Sequence, residues 1–197
     1  MACTTDQQPQ GDAQDMLHAV RFCDQIISGG QTGADRAALD FAIEHGYPHG
    51  GWAPRGRQAE DGVIPLKYQL TELDDGGYRQ RNKRNVLDSD GTLIVNLGEL
   101  EGGTLTTQGF AQRLGKPYLL APLDAGTLQE TATLVLGWIR QHSIACLNVA
   151  GPRESKRPGI YRATYELLEL VAAESCKEKG MADSADETMR PAENGAA

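Results

Sequence analysis

Two glycine-rich turns carry the residues of this chain that are best suited to bind an anion. The first turn reads SGGQTG over residues 28–33, and the second reads EGGTLTT over residues 101–107. Each leads into a predicted helix, whose first N–H groups lack partners within the helix and carry a partial positive charge. Glycine also lets a ligand approach the backbone closely. The first turn, GGQTG, is neither the GxGxxG fingerprint nor a P-loop, so the pattern predicts an anion site without identifying the ligand.

Arginines stand at comparable positions after other predicted strands. Arg55 follows a predicted strand over 49–54, and Arg153 follows another over 144–150. The carboxyl ends of parallel strands meet at one edge of a sheet, so we expect these arginines and the two turns to converge there. Guanidinium groups, backbone amides and threonine hydroxyls together predict a site for phosphate and sugar-like groups. The cationic run over 79–84 is interpreted as a solvated helix face, although Asn82 and Asn85 in the same predicted helix could face the cleft.

Three carboxylates are candidates for acid–base catalysis, namely Asp35, Glu60 and Asp61. Each also has a structural explanation, because Asp35 would complement the dipole of the helix it opens and the other two are typical loop acids. The sequence contains no defensible Ser/His/Asp or Cys/His arrangement. Its four cysteines and four histidines are scattered, so we expect no metal held by protein ligands.

Short apolar strands alternate with amphipathic helices through the middle of the chain. The long polar connection between them, residues 55–78, is of a length that usually indicates a functional segment or one ordered by a ligand. The alternation predicts an α/β fold, a three-layer Rossmann-like domain with a mainly parallel sheet of about five or six strands. Predicted strands cover 25–28, 49–54, 91–97, 118–121 and 144–150, and helices start near 34, 78, 104, 128 and 160.

The net charge of −8 is unevenly distributed along the 197 residues. Residues 1–20 contain three acids and no base, and residues 179–197 contain four acids and two bases. Both ends are poor in large apolar residues, so they are predicted to be disordered tails around one domain over 21–178. That domain has 20 acids and 17 bases, which argues against nucleic-acid binding.

The targeting signals that would place the chain in or across a membrane are not found in the sequence. No apolar run approaches the roughly 20 residues that span a bilayer, and the N-terminus has neither the basic start nor the apolar core of a secretory signal. We therefore expect a cytoplasmic protein without a membrane partner.

Five segments resemble, in order, motifs of the putative molybdenum carrier family, which is related to the SLOG superfamily of Rossmann-like proteins and to the LOG proteins within it. They read SGGQTGADRAALDFA, HGGWAPRGRQAEDGVIP, YRQRNKRNVLDSDGTLIV, GGTLTT and LNVAGPRES followed by PGIY, and they span roughly residues 24–172. The resemblance implies binding of molybdenum cofactor (molybdopterin), which is a pterin bearing a phosphate, or of a nucleotide derivative. The implied binding residues are Gly29, Gly30, Gln31, Thr32, Gly33, Asp35, Arg36, Arg55, Gly102, Gly103, Thr104, Thr107 and Arg153.

One departure from the LOG-type hydrolases bears on catalysis. Those enzymes resemble the pattern PGGxGTxxE, in which the glutamate serves catalysis, and this chain has Gly109 at the corresponding place. The comparison favours binding of a small phosphorylated ligand over turnover. Two alternatives stay open: a nucleotide-processing, phosphoribohydrolase-like enzyme, and a ligand-sensing domain that acts on a protein partner. The sequence also leaves homo-oligomerisation open.

Overall fold

A computed structural model describes residues 21–189, and residues 1–20 and 190–197 of the predicted tails lie outside this range. The strands are β1 (Gln25–Ile27), β2 (His49–Gly50), β3 (Trp52–Ala53), β4 (Gln58–Ala59), β5 (Gly62–Val63), β6 (Thr71–Glu72), β7 (Gly91–Asn96), β8 (Tyr118–Pro122) and β9 (Cys146–Ala150). The helices are α1 (Ala34–Glu44), α2 (Tyr78–Asp88), α3 (Gly102–Leu114), α4 (Leu128–Gln141) and α5 (Ile160–Met189), with a 3-10 turn over Arg55–Arg57.

A five-stranded parallel sheet forms the centre of the domain, in the order β2-β1-β9-β7-β8. The last strand in the sequence, β9, lies between β1 and β7, so Ile27 pairs with Asn148 and Ile94 with Ala150. The prediction of a three-layer Rossmann-like fold with a mainly parallel sheet is confirmed. Because β1, β9 and β7 are neighbours, the loops that follow them share one edge of the sheet.

Apolar side chains from the strands pack between two layers of helices. The larger core joins Ile26, Leu93 and Leu147 of the sheet to α1, α4 and α5, with Phe41 and Leu168 among its fully buried members. A smaller cluster joins α2 and α3 to the other side of the sheet. Strand β7 is buried at every position, as expected for a parallel strand covered on both faces.

The predicted strand over 49–54 is interrupted, because the chain leaves the main sheet at Gly51. Gly51 has φ +117°, and a Cβ atom there would lie 2.1 Å from the carbonyl oxygen of Ser28. Strand β2 therefore pairs with β1, whereas β3 pairs with β6 in a separate two-stranded sheet.

The long connection over 55–78 is held in place by the protein's own groups. The guanidinium of Arg57 donates hydrogen bonds to the carbonyl oxygens of Ile64, Pro65, Tyr68 and Leu70, at 3.0–3.1 Å. Strands β4 and β5 form a hairpin within this connection. It needs no ligand for these contacts.

Helix α5 continues to Met189, so the domain boundary predicted at residue 178 falls inside a helix. None of the helices in residues 21–189 combines the length and the hydropathy that a membrane crossing requires.

Candidate functional site

A cleft of about 290 Å³ lies beyond the carboxyl ends of β1, β9 and β7. Seven of the predicted binding residues line it, from both glycine turns and from the loop after β9. These are Gln31, Asp35, Gly102, Gly103, Thr104, Thr107 and Arg153, joined by Tyr78, Arg81, Asn82, Asn96, Glu101, Ala150, Gly151, Pro152, Lys156 and Arg157.

The N-terminus of α3 forms one wall of the cleft. Glu101 precedes the helix and gives it no side-chain cap, and the first turn contains no acidic residue. No acceptor in the described residues pairs with the amides of Gly102, Gly103 or Thr104. Three consecutive N–H groups at a helix N-terminus are therefore available to an anion.

A cationic loop after β9 forms the facing wall. Arg153 lies 5.5 Å over the ring of Tyr78, and Lys156 lines the same cleft. Arg157 pairs with Glu101 at 3.0 Å and donates to the carbonyl oxygens of Leu97 and Glu99, which ties this loop to the one before α3.

A buried ion pair connects α1 and α2 at the β1 end of the cleft. Oδ2 of Asp35 lies 2.9 Å from Nη1 of Arg81, and the two residues are 4% and 7% exposed. Burial raises the pKa of Asp35, although the charge of Arg81 opposes this shift. Arg81 Nε is buried and has no hydrogen-bond acceptor among the described residues. Gly29 makes room for this arginine, since a Cβ there would lie 1.5 Å from Nη1.

Gln31 lines the cleft beside this ion pair and is 6% exposed. Its Oε1 accepts hydrogen bonds from the amides of Thr32, at 3.0 Å, and Glu60, at 2.9 Å. Its Nε2, in contrast, is a buried donor without an acceptor in the described part of the chain. The orientation of the side-chain amide is thus determined by its neighbours, and one donor is left over.

The protein's own groups occupy part of the first glycine turn. The amides of Gln31, Thr32 and Ala34 already donate to Asp35 Oδ2, Gln31 Oε1 and Pro152 O. A Cβ atom at Gly30 would lie 2.5 Å from Cδ1 of Leu70. At Gly33 it would lie 2.6 Å from the backbone at Pro152 and Glu154. These glycines therefore allow close packing of protein segments.

The remaining predicted binding residues lie away from the cleft. Thr32, Gly33 and Arg36 line a separate open cavity of about 420 Å³, in which Arg36 is paired with Asp61 and Asp40 accepts a hydrogen bond from Tyr161. Arg55 is exposed at the start of the 3-10 turn and lines neither cavity. The expected convergence of Arg55 and Arg153 is therefore not observed.

Of the three candidate carboxylates, Asp35 is the one that lines the cleft. Glu60 accepts hydrogen bonds from Thr32 and Ser155; these lower its pKa despite the opposing effect of desolvation. Asp61 forms a two-pronged ion pair with Arg36, at 2.6 and 2.9 Å, and these hydrogen bonds lower its pKa.

Sequence reasoning missed Arg81, Lys156, Arg157 and Asn96. Arg81 belongs to the cationic run for which the sequence predicts a solvated face, yet it is buried in the cleft. Helical spacing could have helped, because it puts Arg81 on the same face as Asn85, which is also buried.

The fold and the position of the cleft define the class: a Rossmann-like α/β domain with a cavity beyond the carboxyl edge of its parallel sheet. Residues 26–172 match the circularly permutated YpsA SLOG family, and the chain belongs to this family. The chain is also similar to a protein named putative molybdenum carrier protein, from Syntrophus aciditrophicus SB, whose crystal structure was solved at 1.45 Å resolution. The two share 52% identity with a TM-score of 0.75, over 77% of this chain and 96% of the other.

These findings confirm the resemblance inferred from the five motifs. A search of functionally curated proteins finds no significant match.

Proposed function

We propose that this protein binds a small phosphorylated heterocycle in the cleft, with the phosphate at the N-terminus of α3. The observation that carries the proposal is the set of amides at Gly102, Gly103 and Thr104, which have no acceptor among residues 21–189 and lie in one cleft with Arg153 and Lys156. Backbone amides at a helix N-terminus and a guanidinium on the facing side are the donors that a phosphate prefers.

The charge of the cleft supports an anionic ligand. Four cationic side chains line it against two carboxylates, Asp35 and Glu101, and both carboxylates already pair with arginines. This excess of positive charge occurs in a chain whose net charge is −8, so the charge of the cleft has the opposite sign to that of the whole protein. A locally positive cleft attracts anionic ligands and concentrates them near the site.

The dimensions support a ligand of mononucleotide size. The cleft volume of about 290 Å³ is just below the range, roughly 300–1,000 Å³, that is typical of small-molecule sites. Two strand spacings, roughly 10 Å, separate β1 from β7, and the loops after these two strands carry the buried donors and the α3 N-terminus. A ring with a phosphate attached through a short linker spans such a distance.

Molybdenum cofactor is one ligand of this kind, and the name of the similar protein from Syntrophus aciditrophicus SB points to it. The residues present fit its organic part, since α3 amides would hold the phosphate and Gln31 and Asp35 offer polar contacts for the pterin ring. Within the described residues, no group of three His, Cys, Asp or Glu side chains is arranged to hold a metal ion. The pterin would therefore carry the metal. A nucleotide derivative satisfies the same residues.

Gly103 allows a direct test of the phosphate position. A Cβ there would meet only Asn82 Nδ2, at 3.7 Å, so Gly103→Val should fold while crowding the cleft. Gly137→Val, at an exposed helical glycine with open space around it, is the matched control. Calorimetric titration would use GMP and 6-hydroxymethylpterin monophosphate, each beside its dephosphorylated form.

We expect the phosphorylated form of a binding compound to bind at least tenfold more tightly than its dephosphorylated form. Gly103→Val should remove most of that advantage, and Gly137→Val should retain it. Equal binding of both forms would contradict the proposal, as would failure of every phosphorylated compound to bind. Native mass spectrometry of freshly purified protein, with metal analysis, would identify a pterin or nucleotide that co-purifies.

A further inference from the structure

We infer that Gln31 and Asp35 read the hydrogen-bonding edge that guanine and pterin rings share: a carbonyl acceptor followed by ring N–H and amino donors. This inference rests on the proposed function and deepens it, because it names the ring class that occupies the β1 end of the cleft. The supporting observations concern buried groups near β1, whereas the phosphate was assigned to α3.

The side-chain amide of Gln31 can serve a ligand only as a donor. Two backbone amides occupy its Oε1, at 2.9 and 3.0 Å, so turning the amide over would set its NH2 group against two N–H groups. Nε2 is left without an acceptor in the described residues, although buried donors are nearly always paired. An acceptor atom on the ligand, reached by a small shift of the side chain, would complete this group.

Asp35 supplies the complementary acceptor next to Gln31. The amide of Gln31 donates to Asp35 Oδ2 at 3.3 Å, which places the two residues side by side. Both the Gln31 and Arg81 hydrogen bonds fall on Oδ2. A carboxylate has about four acceptor positions, so Asp35 retains capacity for ligand N–H groups.

A donor beside a carboxylate selects one class of ring. Guanine and the pterin ring both present a carbonyl oxygen, a ring N–H and an amino group in sequence, whereas adenine presents an amino donor next to a ring-nitrogen acceptor. Gln31 and Asp35 would pair with the first pattern. If adenine occupied the same position, its amino group would face the donor of Gln31, and its ring-nitrogen acceptor would face the Asp35 carboxylate. Sites that hydrogen-bond a ligand group reject analogues in which that group is missing or reversed.

The test compares ligands that each carry one phosphate but differ in the hydrogen-bonding edge of the ring. Calorimetric titration of the full chain would use GMP, AMP and XMP, together with 6-hydroxymethylpterin monophosphate to separate a guanine source from a pterin source. We expect GMP or the pterin monophosphate to bind at least tenfold more tightly than AMP. The compound that binds more tightly shows whether the ligand ring is a guanine or a pterin.

Two isosteric variants assign the discrimination to these residues. Gln31→Glu keeps an oxygen for the two backbone amides but replaces the free donor, so GMP and pterin affinity should fall at least tenfold. Gln141→Glu, an exposed site with the same change of charge, is the control and should bind as the wild type does. Asp35→Asn offers a donor to the 2-oxo group of XMP, so the GMP-to-XMP affinity ratio should fall at least tenfold. A merely structural role for Asp35 would leave that ratio unchanged.

The outcomes separate this inference from the proposed function. If AMP binds as tightly as GMP and the pterin while nucleosides bind weakly, the phosphate site stands and the ring assignment is overturned. An unchanged GMP-to-XMP ratio in Asp35→Asn also overturns it. If no phosphorylated compound binds, both proposals fail.

Discussion

The two glycine turns have similar sequences but different surroundings. Residues 28–33 and 101–104 each follow a parallel strand and open a helix, α1 or α3, without a side-chain cap. In the first turn the amides of Gln31 and Thr32 are paired with Asp35 and with the Gln31 side chain, and the first amide of α1, that of Ala34, is paired with Pro152. At α3 the amides of Gly102, Gly103 and Thr104 have no acceptor within the described residues. A glycine turn before a helix therefore predicts an anion site only where no protein group occupies it.

The difference arises from what each turn contacts. Glycines at 29, 30 and 33 provide space for Arg81, for Leu70 and Ile64, and for the backbone after β9. Around Gly102 there is open space, and Gly103 has a single neighbour at 3.7 Å. Substitutions in the first turn should mainly change stability, whereas substitutions in the second should mainly change binding.

The largest effect should come from Arg81→Met, which leaves Asp35 buried without its partner. Removing one partner of a buried ion pair costs about 3–5 kcal/mol. The unpaired carboxyl has a raised pKa in the folded state, so the unfolding free energy should fall as pH rises from about 4 toward that pKa. Urea denaturation at pH 4 and pH 8 measures this, with the exposed Lys83→Met as the control. If Arg81→Met lowers the unfolding free energy by the same amount at both pH values, the result would contradict a buried ion pair.

Gly30→Val should destabilise the fold by about 3 kcal/mol. Strain at a positive φ and overpacking each cost roughly 1–3 kcal/mol. This residue has φ +75°, and a Cβ atom on it would lie 2.5 Å from Leu70 Cδ1. The melting temperatures of Gly30→Val and Gly103→Val, measured in parallel, check whether substitutions in the two turns differ in their effect on stability. If Gly30→Val has the melting temperature of the wild type but no longer binds the ligand, the first turn would instead be part of the binding site.

Arg153→Lys should weaken a phosphorylated ligand by about 1–2 kcal/mol, because lysine replaces a planar pair of donors with a point charge. The dephosphorylated ligand should lose much less. Titration of GMP and guanosine against both proteins measures the difference. If GMP and guanosine lose the same amount of binding free energy, Arg153 does not contact the phosphate.

Glu60→Gln should have the smallest effect, about 1 kcal/mol of stability, because its hydrogen bonds with Thr32 and Ser155 are partly exposed to solvent. Hydrogen bonds hold the pKa of Glu60 below its ordinary value, so its contribution is present above about pH 4.3 and is lost on acidification. The gap between variant and wild type should therefore close below that pH in denaturation experiments. Loss of GMP binding without loss of stability would indicate that Glu60 contacts the ligand instead.

Local pattern was sufficient for the architecture and for placing the second glycine turn beside the cleft. Continuous apolar strands separated by amphipathic helices predict a covered parallel sheet, because each element must bury its apolar face. The two turns also differ locally, because α1 has Asp35 in its first turn whereas the first turn of α3 contains no acidic residue.

Only the tertiary structure decided the role of the first turn and the β1 end of the cleft. Arg81 reaches Asp35 across 46 positions of sequence, and Glu60 reaches Gln31 across 29. Local pattern cannot show which distant side chain will take the space that a glycine leaves. That outcome depends on how α2 and the β4–β5 hairpin pack against the end of β1. Burial then orients each polar group, because every pairing made inside the protein determines which donor is left for a ligand.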